Sequence, residues 1–104
     1  MIRLVFTLGR DTISIEVENK VIIYKDKKFP KGFQFMPKDP NLNKLILLSR
    51  NRIPQEVIEW INESNSGKNL EEYKNAKDDK ELVVIIISDA KKKGLVFQGE
   101  INGA

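Results

Sequence analysis

Glu81-Leu82-Val83-Val84-Ile85-Ile86-Ile87-Ser88 holds the longest apolar run of the chain, six residues of which five are β-branched. A run this short and this β-rich reads as a strand buried on both faces, which predicts strand 81–88 at the middle of a sheet. Ser88-Asp89-Ala90-Lys91-Lys92-Lys93-Gly94 follows, then Leu95-Val96-Phe97. Read together, these stretches predict a closing hairpin with a second strand over 94–101. Its tip would be Lys91 to Gly94, where glycine is free to take positive φ.

Upstream, alternation dominates. Ile2, Leu4, Phe6 and Leu8 fall on one face of strand 2–8, with Arg3 and Thr7 on the other. Gly9-Arg10-Asp11 supplies turn chemistry. Strand 12–18 then points Ile13, Ile15 and Val17 inward and Thr12, Ser14, Glu16 and Glu18 outward. A turn at Glu18-Asn19-Lys20 leads into strand 20–25, completing an antiparallel meander. Prolines 30, 37 and 40 and Gly32 exclude a helix from the next stretch, leaving Phe33-Gln34-Phe35 as a short edge strand. Leu45 to Leu48 fits a buried strand better than a helical stripe.

Helix 54–64 starts at Pro54, whose missing N–H costs nothing in a first turn. Val57, Ile58, Trp60 and Ile61 make its apolar stripe, with Glu56, Glu59 and Glu63 toward water. A second helix is expected over 70–77, with Asn69 as N-cap and Glu72 in capping-box position. Strands segregated from helices give an α+β fold: a single small domain over 1–104. Its mostly antiparallel sheet has five or six strands (about 2–8, 12–18, 20–25, 45–48, 81–88 and 94–101), with one or two helices (54–64, 70–77) packed on one face.

Composition narrows the function classes. The chain has 104 residues, no cysteine and no histidine. Disulfides and thiolate metal sites are therefore excluded, and the usual general base at neutral pH is missing. This points away from an enzyme: no catalytic residue, metal site, cofactor or small-molecule substrate is assigned. Ser88 and Asp89, at the end of the expected central strand, lack a histidine to activate the serine. Asp78, Asp79 and Glu81 form a carboxylate cluster that reads as a solvated turn rather than a Mg²⁺ site. No run approaches the roughly 20 apolar residues of a membrane span, and nothing resembles a signal peptide, so a soluble, cytoplasmic protein is expected. Heavy use of lysine, isoleucine, glutamate and asparagine gives the chain a thermophile-like composition.

Net charge is only +3, but it is unevenly spread: ten Lys/Arg against five Asp/Glu in residues 1–50, and eight against ten in 51–104. Lys25, Lys27, Lys28 and Lys31 are interleaved with Tyr24, Phe29, Phe33 and Phe35 on a strand-loop-strand element. Lysines attract phosphates, and exposed rings stack on bases at roughly 1–3 kcal/mol each. With Lys91, Lys92 and Lys93 on the hairpin tip, they make a candidate surface for single-stranded or structured nucleic acid. The acidic helices would point away from it. Packing aromatics and solvated lysine turns are the plain alternative. The competing functional reading is a homodimeric protein-interaction module that pairs an exposed edge strand, Phe33 to Phe35 or Leu95 to Phe97, with its copy or with a partner's strand. A homodimer fits either reading.

Overall fold

A computed structural model describes residues 1–35, 53–64 and 67–103. Strands β1 (Ile2–Leu8), β2 (Asp11–Glu18) and β3 (Val21–Lys25) form the expected meander, and β4 (Phe33–Phe35) adds a three-residue edge. Three helices follow, α1 (Gln55–Ser64), α2 (Gly67–Asn75) and α3 (Asp79–Lys92), before β5 (Val96–Asn102). All strand pairs are antiparallel, in the order β4-β3-β2-β1-β5. Among the described residues this is a small α+β domain, with four strands of five residues or more and a short fifth. The expected strand at 45–48 lies outside them. No helix in this set is long and apolar enough to cross a membrane.

The largest departure from expectation is the apolar hexapeptide. Leu82 to Ile87 lies inside α3, not in a strand, and β2 holds the centre of the sheet instead. The helix wins because the apolar pattern does not stop at Ile87. Leu82, Val83, Ile86 and Ala90 are buried at helical spacing along 14 residues, while Val84 is 67 % exposed. Each β-branched residue costs a helix less than about 0.7 kcal/mol in propensity, whereas burying such a side chain gains roughly 1.5–3 kcal/mol.

Both ends of α3 carry strong stop signals. Asp78 is the N-cap and accepts the Glu81 N–H at 2.9 Å, and the Glu81 carboxylate accepts the Lys77 N–H in return. At the other end Leu95 N–H donates to the Ala90 carbonyl and Gly94 N–H to Lys91, with Gly94 at φ +94. That is a Schellman ending, with Leu95 buried beside Ala90. Lys91 to Gly94 is thus a helix terminus and not a hairpin tip. The carboxylates 78, 79 and 81 are not a free solvated turn either: they start a helix whose dipole favours them. Asp79 also accepts the N–H groups of Asn19 and Lys20, at 3.0 and 2.7 Å. Both turn residues have positive φ, as a two-residue type I′ hairpin requires, so Asp79 fastens the β2–β3 turn to α3.

One face of the sheet (Leu4, Phe6, Ile13, Ile15, Val17, Ile22 and Tyr24) packs with Val57, Trp60, Ile61, Tyr73, Leu82 and Ile86 from all three helices. α2 begins at Gly67, so Asn69 lies within it and is not its N-cap. Glu16, expected to face water, points away from the helices yet is only 3 % exposed. Its carboxylate sits between Lys25 Nζ, 2.8 Å from Oε2 and hydrogen-bonded to Oε1 at 3.3 Å, and Arg3, 3.8 Å away. Two flanking cations make burial of that charge affordable.

The two tyrosines, Tyr24 and Tyr73, are both buried. Loss of hydration pushes both phenols far above their ordinary value near 10, and neighbouring Asp26 and Asp89 push the same way. The folded chain therefore holds two protons that the unfolded chain releases above pH 10. Stability is intact below that pH and falls as pH rises past it, by about 1.4 kcal/mol per pH unit for each tyrosine. An alkaline titration should show tyrosinate absorbance appearing together with loss of circular dichroism. Tyrosinate formed while the fold persists would contradict this burial.

Candidate nucleic-acid interface

In a meander, alternate turns lie at the same end of the sheet. Leu8 pairs with Asp11 around the two-residue turn Gly9–Arg10, and Lys25 pairs with Ser14 as β3 returns to that end. Thr7 pairs with Val96, which brings the α3–β5 junction there too. The β2–β3 turn is at the opposite end, with Asp79. Both lysine-bearing segments therefore share one end of the sheet.

After β3 the chain makes two tight turns. The Asp26 carboxylate accepts the N–H groups of Lys28 (2.8 Å) and Phe29 (2.9 Å) and the Tyr24 hydroxyl proton. The Gly32 N–H then donates to the Phe29 carbonyl at 2.9 Å, closing a turn with Pro30 in the position where its fixed φ fits. This backbone leaves Lys27, Lys28 and Lys31 exposed, and no ion pair joins them to another described residue.

The other expected members separate. Lys25 is half-buried and tied to Glu16. Phe29 is half-buried and packs against the core, so it is not a free stacking platform. Phe33 and Phe35 pair with Tyr24 and Ile22 in β4, and their side chains are outside the described set. Lys91 and Lys92 are exposed on the last turn of α3, with Lys92 3.9 Å from Asp89. Lys93 contacts Glu63 at 2.6 Å, and that hydrogen bond raises its pKa above the usual lysine value. The acidic helices do not all turn away from the basic residues: α1 presents Glu63 to Lys93.

Arg10 was not among the residues singled out from sequence. It lines a cleft of ≈ 470 Å³ together with Lys27, Lys28, Asp11, Asp26 and the start of α1. The signal was available, because two turns of a meander separated by one hairpin must be neighbours. α1 begins at this cleft and ends at Lys93, dividing the basic end into two parts. The Arg10 side is the less neutralised one. Ser88 is exposed, and Asp89 accepts the Tyr73 hydroxyl proton at 3.1 Å, a helix-to-helix tie. Comparison with protein-family models, curated proteins and solved structures finds no match to this chain.

Proposed function

We propose that this chain is a small, intracellular, non-enzymatic protein that binds the backbone of single-stranded nucleic acid. Arg10, Lys27, Lys28 and Lys31 make the main contacts, and Lys91 and Lys92 offer a second, weaker set beyond α1. The observation that carries this reading is the convergence of the Gly9–Arg10 turn and the 26–32 loop at one end of the sheet. The lysine ammonium groups act as point charges, and Arg10 adds a planar fork for phosphate oxygens. With Phe29 committed to the core, little base stacking contributes, so binding is expected to show little sequence preference.

Four phosphate contacts to a single strand give a log–log salt slope of about −3, or roughly a 50-fold loss of affinity for a fourfold rise in salt. Fluorescence anisotropy with mixed-sequence RNA and DNA oligonucleotides measures both slope and preference. Lys27→Glu, Lys28→Glu and Lys31→Glu combined should abolish binding and leave the melting temperature unchanged, because all three side chains are exposed. Undiminished binding by that variant would remove this site from consideration.

A further inference from the structure

We propose that the second half of β5 is a homodimer interface, in which Gly99 to Asn102 pairs antiparallel with the same residues of a second copy and Ile101 meets Ile101 across the two-fold axis.

Among the described residues no strand pairs with the outer side of β5, which ends the sheet. Edge strands are commonly guarded by lysine, proline, other charges or a bulge. β5 has no lysine or proline, and its guards, Glu100 and the bulge before Gly99, leave the stretch around Ile101 regular. The large hydrophobic side chains exposed in the described set are Met1 (37 %), Val84 (67 %), Val96 (56 %) and Ile101 (53 %). They lie along this margin but at two ends and on two faces: Val96 beside Thr7 at the basic end and Ile101 beside Arg3 at the other, both on the face away from the helices. Val96 and Ile101 are on β5, while Met1 and Val84 line a groove of ≈ 640 Å³ between α3 and Glu100 and Asn102. The groove's charged residues, Lys80 and Glu100, have opposite signs, so the groove carries no net charge to repel a second copy.

The register follows by elimination. A bulge opposite Val5 and Phe6 puts Phe97 against Phe6 on the helix-bearing face, whereas Gly99 and Ile101 pair with Val5 and Arg3 on the other. Only Gly99 to Asn102 is regular, and directly opposed residues of an antiparallel pair share a face. Centring the pair on Gly99 would oppose Ile101 to Phe97, which lies on the wrong face. Centring on Glu100 would oppose two carboxylates. Centring on Asn102 would oppose Ile101 to Gly103 and leave the isoleucine unmatched, whereas centring on Ile101 opposes isoleucine to isoleucine, Glu100 to Asn102 and Gly99 to Gly103. Gly99 has no left-handed φ, and a Cβ there would meet nothing within 4 Å. Glycine there suits the adjacent bulge, and it also leaves room for a second backbone to approach closely.

The chain has no cysteine, so Ile101→Cys creates a single thiol. Opposed Cα atoms lie about 4.5–5.5 Å apart in such a pair, within disulfide reach. Mild oxidation should link Ile101→Cys into a dimer of twice 12.0 kDa, while Glu18→Cys, exposed on β2, stays unlinked. Light scattering at micromolar concentration should find the native chain dimeric and Ile101→Lys monomeric with an unchanged melting temperature. A monomeric native chain overturns the proposal, as does a dimer that survives Ile101→Lys or leaves Ile101→Cys unlinked. The basic end is not involved, so loss of nucleic-acid binding in the lysine variant would leave the dimer's mass unaltered.

Discussion

Trp60→Ala is expected to lower stability by about 3–5 kcal/mol, a large part of the roughly 5–15 kcal/mol typical of a domain. Trp60 is 1 % exposed and heads the fully buried side chains by volume. It also organises polar contacts: its indole N–H donates to the Tyr73 hydroxyl at 2.9 Å, and that hydroxyl donates to Asp89 at 3.1 Å. One residue on α1 thereby holds α2 and, through it, α3. Truncation leaves a cavity and deprives a buried hydroxyl of its donor. Trp60→Phe weights the two effects differently, since it keeps most of the ring volume while removing the N–H and part of the indole, for about 1–3 kcal/mol. Urea unfolding followed by circular dichroism measures both. A shift under 1 kcal/mol for the alanine variant would mean that the indole is not packed as described.

Trp60 was legible from sequence because its stripe repeats at 3.6 residues within a segment bounded by Pro54 and Asn65-Ser66-Gly67. The meander was legible for the same reason, with period two in place of 3.6. The hexapeptide was not. Within six uniformly apolar residues neither period can show, and β-branching then favours the strand. The deciding signals lay outside it: the Asp78-x-x-Glu81 capping box before, and Ala90 followed by Gly94-Leu95 after. Asp78 and Glu81, weighed as possible metal ligands, were the helix start itself. A run of lysines before a glycine likewise fits a hairpin tip and a helix C-terminus equally well until the preceding residues are assigned. Which end of the sheet Lys91 to Lys93 occupy was not legible from sequence; α3, returning beside the start of β5, puts them at the end of the Gly9–Arg10 turn.

Gly32→Ala is expected to be the most disruptive of the glycine-to-alanine changes. Gly32 has φ +70, a conformation costing an L-residue roughly 1–2 kcal/mol. Space is the larger obstacle: a Cβ at this position would stand 2.4 Å from the Tyr24 carbonyl oxygen and 2.6 Å from Lys25 Cγ. The lysine stem can swing aside, but the carbonyl belongs to β3, whose Tyr24 pairs with Ile15 on one side and Phe33 on the other. Relief must come from the loop, at the further 1–3 kcal/mol that overpacking costs. A total near 3 kcal/mol is therefore expected in urea unfolding.

Because the Gly32 N–H closes the turn that presents Lys31, the same variant should also weaken oligonucleotide binding at temperatures where it is still folded. Gly94→Ala is the internal control. It too places alanine at positive φ, but its Cβ would meet nothing within 4 Å, so only the conformational cost of roughly 1–2 kcal/mol should appear, with binding at the Arg10 cleft unaffected. Equal losses from the two substitutions would mean that the loop does not press against β3, and the rigid presentation of Lys27, Lys28 and Lys31 would lose its basis.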